Sequence, residues 1–173
     1  MKLILFKQAK KAFTLIEIIT VLFVVSLGLV GVLSLIIQNI QAQSLNKNSL
    51  MATQLAQEGI ELVRKTRDTN WRKLPPNRWK EGLTGPSLSF YMDYTDSVPH
   101  PLVAPIHMPL YLDGDGFYKH SPISIDSSDP SIFSRLITIR SSGSMLQVIS
   151  DVSWQDRDKT YFYSVTTYLY GWF

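Results

Sequence analysis

A run of 25 residues at positions 13–37 carries a single charged side chain, that of Glu17. An α-helix needs about 20 predominantly apolar residues to cross the hydrocarbon core of a bilayer, so this run is long enough to span a membrane. No later stretch of the sequence is comparably apolar. The run therefore predicts one membrane-spanning helix and leaves the rest of the chain to form a domain with a modest core of its own.

The charge distribution predicts which side of the membrane that domain occupies. Four lysines precede the apolar run and no basic residue follows it directly, which predicts a cytoplasmic N-terminus and an extracytoplasmic domain. The whole chain has 17 Lys and Arg against 14 Asp and Glu, so setting those four lysines aside leaves 13 basic residues against 14 acidic ones. This balance does not support a nucleic-acid partner. The absence of cysteine excludes disulfides and thiolate zinc sites.

The apolar run is expected to stay on the mature protein. A cleaved secretory signal has a shorter apolar core followed by a small-residue cleavage site. Here the run continues into residues 38–43 without a turn-forming residue, so cleavage there would cut through a helix. Hydropathy alone is equally consistent with an uncleaved single-span anchor.

Glu17 is the feature that a plain anchor does not explain. A carboxylate at the centre of a bilayer costs roughly 2.5–3.5 kcal/mol on insertion scales, and ionisable groups inside spans usually have a partner. The run contains no Lys, Arg or His that could pair with it. A cut just before Phe13 would create a free α-amino group, the nearest candidate cation.

Residues 10–17 read KKAFTLIE and resemble the class III signal of type IV prepilins and pseudopilins. The resemblance implies that a membrane peptidase removes residues 1–12 by cutting between Ala12 and Phe13, and that the new terminal Phe13 is N-methylated. It also implies that Glu17 acts in subunit assembly. One position departs from the family pattern, because Ala12 stands where the family usually has glycine.

The second part of the helix is predicted at residues 38–69, which are rich in good helix formers. Apolar side chains recur there at broadly helical spacing, at Ile40, Leu45, Met51, Leu55, Ala56, Ile60 and Val63. We favour packing of this stripe on a β-sheet over a coiled-coil stalk, because residues 46–48 interrupt the heptad pattern. Gly59 is expected to weaken the helix by about 1 kcal/mol relative to alanine. Residues 52–61 also resemble, more weakly, the corresponding helix of minor pilins and pseudopilins.

Residues 70–173 are predicted to form a globular, β-rich domain that begins with a connecting loop at residues 70–86. The strand-like segments are residues 87–94, 109–112, 132–140, 145–154 and 160–170. The last three are joined by short links, which favours an antiparallel meander. A long helix packed on such a sheet is an α+β fold. The resemblance implies the same pilin-like layout.

Residues 113–116 read DGDG and admit two interpretations, a hairpin turn or a calcium site. An EF-hand counted from Asp113 would need a glutamate at loop position twelve, where this chain has Ser124. The Asp-Gly pair also lies between two short apolar segments, which is typical of a β-hairpin. We predict the turn, with calcium binding by Asp113 and Asp115 left open.

No catalytic, cofactor or metal site is predicted. His100, His107 and His120 lack metal-ligand spacing, and the sequence has no nucleophile elbow, phosphate-binding glycine loop or zinc-protease motif. Aromatic residues near the end of the chain are expected to fill the core or face the helix, with binding of a sugar or a surface as the alternative: Tyr161, Phe162, Tyr163, Tyr168, Tyr170, Trp172 and Phe173.

The sequence therefore predicts a structural subunit, a minor pilin or pseudopilin, of a type IV pilus-like or type II secretion-like fibre. Its expected partners are the prepilin peptidase and methyltransferase, the membrane, and other subunits contacted through the N-terminal helix. The expected location is the cytoplasmic membrane and then a cell-surface fibre. The alternative is an uncleaved bitopic membrane protein whose extracytoplasmic domain binds a partner.

Overall fold

A computed structural model describes residues 14–73, 75, 78–85, 89–120 and 130–171. One helix, α1 (Leu15–Lys73), precedes all of the described strands. These are β1 (Ser89–Tyr91), β2 (His100–Pro101), β3 (Met108–Pro109), β4 (Tyr111–Leu112), β5 (Tyr118–Lys119), β6 (Phe133–Ser142), β7 (Met145–Asp156) and β8 (Lys159–Tyr170). The fold is α+β, as predicted.

The chain divides into two compact units, Met1–Ser44 and Leu45–Phe173. In the first unit every described residue up to position 40 is exposed. The most apolar window of α1 has a mean hydropathy of 2.7 and is 0% buried. The helix is thus long and apolar enough to span a membrane, and none of the other described residues buries this window.

The second unit is built on an antiparallel sheet with the strand order β2-β1-β6-β7-β8, in which β3 also pairs with β6. The apolar stripe of α1 packs on this sheet rather than forming a coiled-coil stalk, which confirms the favoured interpretation. Its buried residues recur every three or four positions, as one helix face requires: Ala52, Leu55, Ala56, Gly59, Ile60, Leu62, Val63, Thr66 and Arg67.

Buried and partly exposed side chains alternate along β7, and the buried ones mark the face of the sheet that meets the helix. Leu146, Val148, Val152 and Trp154 are buried, as is Ser150 on the same face, whereas the residues of the other face are partly exposed, as a period of two predicts. Val148 faces Ile139 across the β6–β7 ladder. These side chains join residues of α1 in two apolar clusters that form the core of the unit.

The observed elements differ from the predicted ones mainly at their ends. α1 continues to Lys73, beyond the predicted end at position 69, because no proline or glycine stops it earlier. The short strands β2 and β5 were not among the predicted strands, since two residues are too few to display a period. The predicted hairpin at residues 113–116 is confirmed, because β4 pairs with β5.

Gly59 lies where α1 approaches the sheet most closely. A Cβ atom added to Gly59 would lie within 2.5 Å of Ser150 Oγ and 3.3 Å from Arg135 Cδ. Ser150 is fully buried in the middle of β7, so it has little room to move. The glycine that weakens the isolated helix is therefore what allows α1 to pack against β6 and β7.

We predict that Gly59→Ala lowers the free energy of unfolding by about 1–2 kcal/mol, although alanine is the better helix former. Unfolding of the full chain in detergent, followed by tryptophan fluorescence, measures this change. Gly28→Ala is the matched control, because a Cβ there meets nothing within 4 Å. The double variant Gly59→Ala/Ser150→Ala should recover part of the lost free energy of unfolding, because it removes the hydroxyl that the new methyl group would meet. A Gly59→Ala variant as stable as wild type would contradict the packing argument.

Candidate functional site

The predicted cleavage and methylation site lies outside the described residues, which begin at position 14. Cleavage between Ala12 and Phe13 and N-methylation of Phe13 therefore stay predictions. Of the predicted site residues, Glu17 alone lies within the described part of the chain.

Glu17 lies in the first turn of α1, where Thr14 caps the helix. The backbone N–H of Glu17 donates a hydrogen bond to Thr14 Oγ1 at 3.3 Å and is also 3.1 Å from the Thr14 carbonyl oxygen. A threonine followed three residues later by a glutamate is the sequence of a capping box. A carboxylate at this end of a helix is also favoured by the helix dipole. Glu17 thus has a local role that the sequence interpretation overlooked.

The surroundings of the Glu17 side chain are apolar. Its neighbours Ile16 and Ile18 are 66% and 51% exposed. Within residues 14–73, 75, 78–85, 89–120 and 130–171, no Lys, Arg or His lies within 4.0 Å of its carboxylate. Among the described residues the Glu17 carboxylate therefore has no counter-cation, which is unusual for an ionisable group in an apolar segment long enough to span a membrane.

In the β4–β5 hairpin, Lys119 is the counter-cation of Asp113, one of the two residues considered for calcium binding. The Lys119 ammonium lies 2.7 Å from Asp113 Oδ2, and the backbone N–H groups of Asp115 and Phe117 donate to Asp113 Oδ1 at 3.1 and 2.8 Å. Tyr94 OH is a further hydrogen-bond partner of Asp113 at 3.1 Å. The carboxylate is therefore surrounded by donors and already carries a counter-cation. This geometry is that of a turn stabilised by an aspartate.

Because these donors bind the ionised form of Asp113, we expect the hairpin to lose stability in acid. The hydrogen bond from Lys119, followed by that from the Phe117 N–H, lowers the pKa of Asp113 from 3.8 to about 2. Because the folded pKa is the lower one, the contribution of Asp113 to stability is complete above pH 3.8 and is lost as the pH falls toward 2. The hydrogen-exchange protection factor of the Phe117 amide, which is its slowing relative to an unstructured amide at the same pH, should fall over that interval.

Asp113→Asn is the control for this titration, since it keeps the shape and removes the charge. The protection factor at Phe117 should then be lower at neutral pH and should not change further between pH 4 and 2. If wild type and Asp113→Asn gave the same pH profile, the carboxylate would not hold the turn.

A buried polar network joins the loop after β1 to the end of β5. His120 is 3% exposed, and its Nδ1 lies 2.5 Å from Asp93 Oδ1, while its backbone N–H donates to both Asp93 oxygens. Burial raises the pKa of Asp93, but the hydrogen bonds and charge of His120, together with the Arg135 charge, lower it further than burial raises it. His120 is thus packed inside the domain, and it has a partner that the sequence did not predict.

Arg135 completes this network from the sheet. Its guanidinium is fully buried and donates to the backbone carbonyl oxygens of Leu55 in α1 at 3.1 Å and of Met92 at 2.8 Å. The Glu58 carboxylate lies 3.3 Å away and the Asp93 carboxylate 3.9 Å away. Burial lowers the pKa of Arg135, and the charges of Glu58 and Asp93 oppose that shift.

Sequence reasoning missed Arg135 because its signal is faint. It occupies an inward position of β6, two residues after Phe133 and two before Ile137, where an apolar side chain is expected. A charged residue at such a position calls for a buried counter-charge, but no pattern indicates that Asp93 and Glu58 provide it. The arrangement is an ion network in which two buried nitrogen atoms, Arg135 Nε and His120 Nε2, have no hydrogen-bond partner among the described residues. Among the described residues no cluster of three His, Asp or Glu side chains could hold a metal ion.

Comparison of the chain with protein-family models, with curated proteins and with solved structures gives no match. The likeness to prepilins therefore rests on residues 10–17 and on the layout of a long apolar helix with an antiparallel sheet.

Proposed function

We propose that this chain is a structural subunit, a minor pilin or pseudopilin, of a type IV pilus-like or type II secretion-like fibre. The observation that carries the proposal is that one helix, α1, has an uncovered apolar surface up to position 40 and a second stripe, from Ala52 onward, that packs on an antiparallel sheet. The KKAFTLIE segment before it supplies a peptidase signal at the point where such a subunit needs one.

On assembly, the apolar side chains of α1 would exchange contacts with lipid for contacts with other helices. In the membrane the exposed side chains of α1 contact lipid. In a fibre the same side chains contact the helices of neighbouring subunits, so their removal from lipid costs little and association depends on packing and polar pairs. The domain formed by Leu45–Phe173 then remains outside the helical core of the fibre.

Glu17 provides the polar pair. After cleavage the α-amino group of Phe13 is a cation at the start of the helix, and a neighbouring subunit can bring it to the Glu17 carboxylate. Opposite charges attract strongly where water is excluded, whereas one charge left alone there costs about 3–5 kcal/mol. The pair would therefore select the axial register in which every Glu17 has an amino group beside it.

The first prediction of this proposal concerns processing. In its own host the membrane-extracted protein should begin at Phe13, with or without one added methyl group, as determined by N-terminal sequencing and intact mass. Ala12→Gly should be processed at least as completely, because it restores the residue that the family usually has. A mature protein that begins at Met1 in both forms would favour the bitopic-anchor alternative.

The second prediction separates the charge of Glu17 from its capping position. Glu17→Gln keeps a side chain of the same shape that can take part in a capping box and loses the charge, whereas Glu17→Ala loses both; the hydrogen bond from the backbone N–H of residue 17 to Thr14 Oγ1 is available in all three proteins. In cells that also express wild type, we expect the tagged Gln variant to enter fibres about tenfold less than tagged wild type, and the Ala variant no better.

For each tagged protein, the amount in the sheared-fibre fraction is divided by the amount in the membrane fraction, and both amounts are measured by immunoblot. The tagged wild-type chain is the control for the tag, and equal membrane levels of the three proteins control for insertion. If Glu17→Gln entered fibres as well as wild type while Glu17→Ala did not, Glu17 would act as a cap and not through its charge.

A further inference from the structure

A pocket lies between α1 and the β4–β5 hairpin. Its volume is about 610 Å³, within the range of about 300–1,000 Å³ that is usual for small-molecule sites. The helix contributes Met51 and Leu55 to its lining, and Tyr94 and residues 116–118 contribute the rest of its apolar surface. All of these residues belong to the unit Leu45–Phe173, so the pocket is a feature of the folded domain.

Three aromatic rings line the pocket, those of Tyr94, Phe117 and Tyr118. The ring centroids of Tyr94 and Phe117 are 5.1 Å apart and their planes are inclined by 45°, so the two rings form an angled pair. The hydroxyl of Tyr94 is 3.1 Å from Asp113 Oδ2, and the ring of Tyr118 makes an edge contact with Phe133 at 6.1 Å between centroids. These contacts hold both tyrosines in place before any ligand arrives, which lowers the entropic cost of binding.

Glu58 alone is charged among the described residues that line the pocket. Its side chain is 34% exposed, and its carboxylate lies 3.3 Å from Arg135 Nη1. Strong charge-assisted hydrogen bonds are shorter, at about 2.7–2.9 Å. In the part of the chain that the structure describes, Arg135 is the only cation within 4.0 Å of this carboxylate.

The guanidinium of Arg135 compensates the charge of Glu58 only in part. It also lies 3.9 Å from Asp93, which His120 contacts through Nδ1. When His120 is neutral, two carboxylates therefore share one guanidinium, and this group of side chains has an excess of one negative charge. Glu58 is its most exposed carboxylate, so the excess charge faces the pocket and attracts a cation.

The lining fits a cation that has an apolar shell. Aromatic ring faces attract cations, and sites for quaternary ammonium ligands are built from such rings. A primary ammonium brings three N–H donors that need acceptors, whereas a quaternary ammonium has none and leaves no donor unpaired among Met51, Leu55 and the rings. An anionic ligand would be repelled by Glu58.

We propose that this pocket binds a quaternary ammonium compound with a short alkyl body. The Glu58 carboxylate supplies the counter-charge, and the rings of Tyr94, Phe117 and Tyr118 contact the methyl groups of the ligand. The site goes beyond the role of a fibre subunit and does not depend on cleavage before Phe13.

The test measures binding of choline to the full chain in an uncharged maltoside detergent at about pH 8. The neutral compound 3,3-dimethylbutan-1-ol has the same shape as choline without the charge, and ethanolamine has a charge with N–H donors. Binding is followed by NMR of ¹³C-labelled methionine methyl groups. Choline should shift the signal of Met51, which lines the pocket, and leave that of Met145 in β7 unchanged. We expect choline to bind about tenfold more tightly than either of the other two compounds.

Aromatic residues near the end of the chain supply a control position outside the pocket. Tyr161 and Tyr163 pack against the core, as expected. Phe162, Tyr168 and Tyr170 are 67%, 50% and 51% exposed, which contradicts the expectation that all of these rings fill the core or face the helix. Phe162 is not part of the pocket lining, so its replacement tests the loss of an exposed ring as such.

Phe117→Ala and Phe162→Ala form the matched pair. Phe117 is 56% exposed, so neither replacement opens the core. We expect Phe117→Ala to weaken choline binding about fivefold to tenfold and Phe162→Ala to leave it within about twofold of wild type. Thermal unfolding followed by tryptophan fluorescence establishes that both variants fold.

Glu58→Gln tests the charge, because it keeps the shape of the side chain. Its affinity for choline should fall to that of 3,3-dimethylbutan-1-ol, and its affinity for the neutral compound should stay within about twofold of wild type. The variant also removes a counter-charge of the buried Arg135 and is expected to be less stable. If it does not fold, the ligand series on wild type and the Phe117→Ala pair decide the question.

Four results would overturn the proposal. Equal binding of choline and 3,3-dimethylbutan-1-ol by wild type would mean that the pocket does not recognise charge, and equal binding of ethanolamine would mean that it does not select a quaternary ammonium. Unchanged choline binding in Phe117→Ala would place the ligand elsewhere. No shift of the Met51 signal at about 50 mM choline would mean that the pocket is not a ligand site, including the case in which another part of the chain fills it.

Discussion

The buried guanidinium of Arg135 fixes helix α1 on the sheet, and the rest of the domain is arranged around it. It donates to a carbonyl oxygen of the helix and to one of the segment after β1, and it lies near two carboxylates, Glu58 and Asp93. A buried charge that loses its partners costs several kcal/mol, so the helix cannot slide along the sheet without that cost. The Asp93–His120 pair extends the same constraint to the end of β5.

The same helix meets two environments, and its residues change accordingly. Up to position 40 its side chains are exposed and mainly apolar, as in a helix that is long and apolar enough to span a membrane. Farther along, Ala52, Ala56 and Gly59 are small and buried, which brings the helix backbone close to β6 and β7. The main sheet in turn has a proline in each of the two-residue strands of one edge and no proline in β8 at the other.

The fold was largely predictable from periodicity. The three long strands were recognised because each is long enough to alternate visibly, and the apolar stripe of α1 identified its contact with a sheet. Much of the candidate site was not predictable, because it depends on residues distant in sequence. Arg135, Glu58 and Asp93 belong to separate elements, and Lys119 reaches Asp113 only when β4 pairs with β5. Glu17 was found from its charge alone, while its capping contact with Thr14 became evident in the structure.

The sequence by itself determined that this protein has one membrane-length apolar helix, a carboxylate near the start of that helix, and an antiparallel domain after it. These properties follow from local composition and periods of two and 3.6 residues, which a linear chain displays without folding. Only the tertiary structure decided that Gly59 is a contact point, that Arg135 has its counter-charges, and that β8 is the last strand in the order of the main sheet. Each of these depends on distances between separate elements, and those distances exist only after packing has brought the elements together.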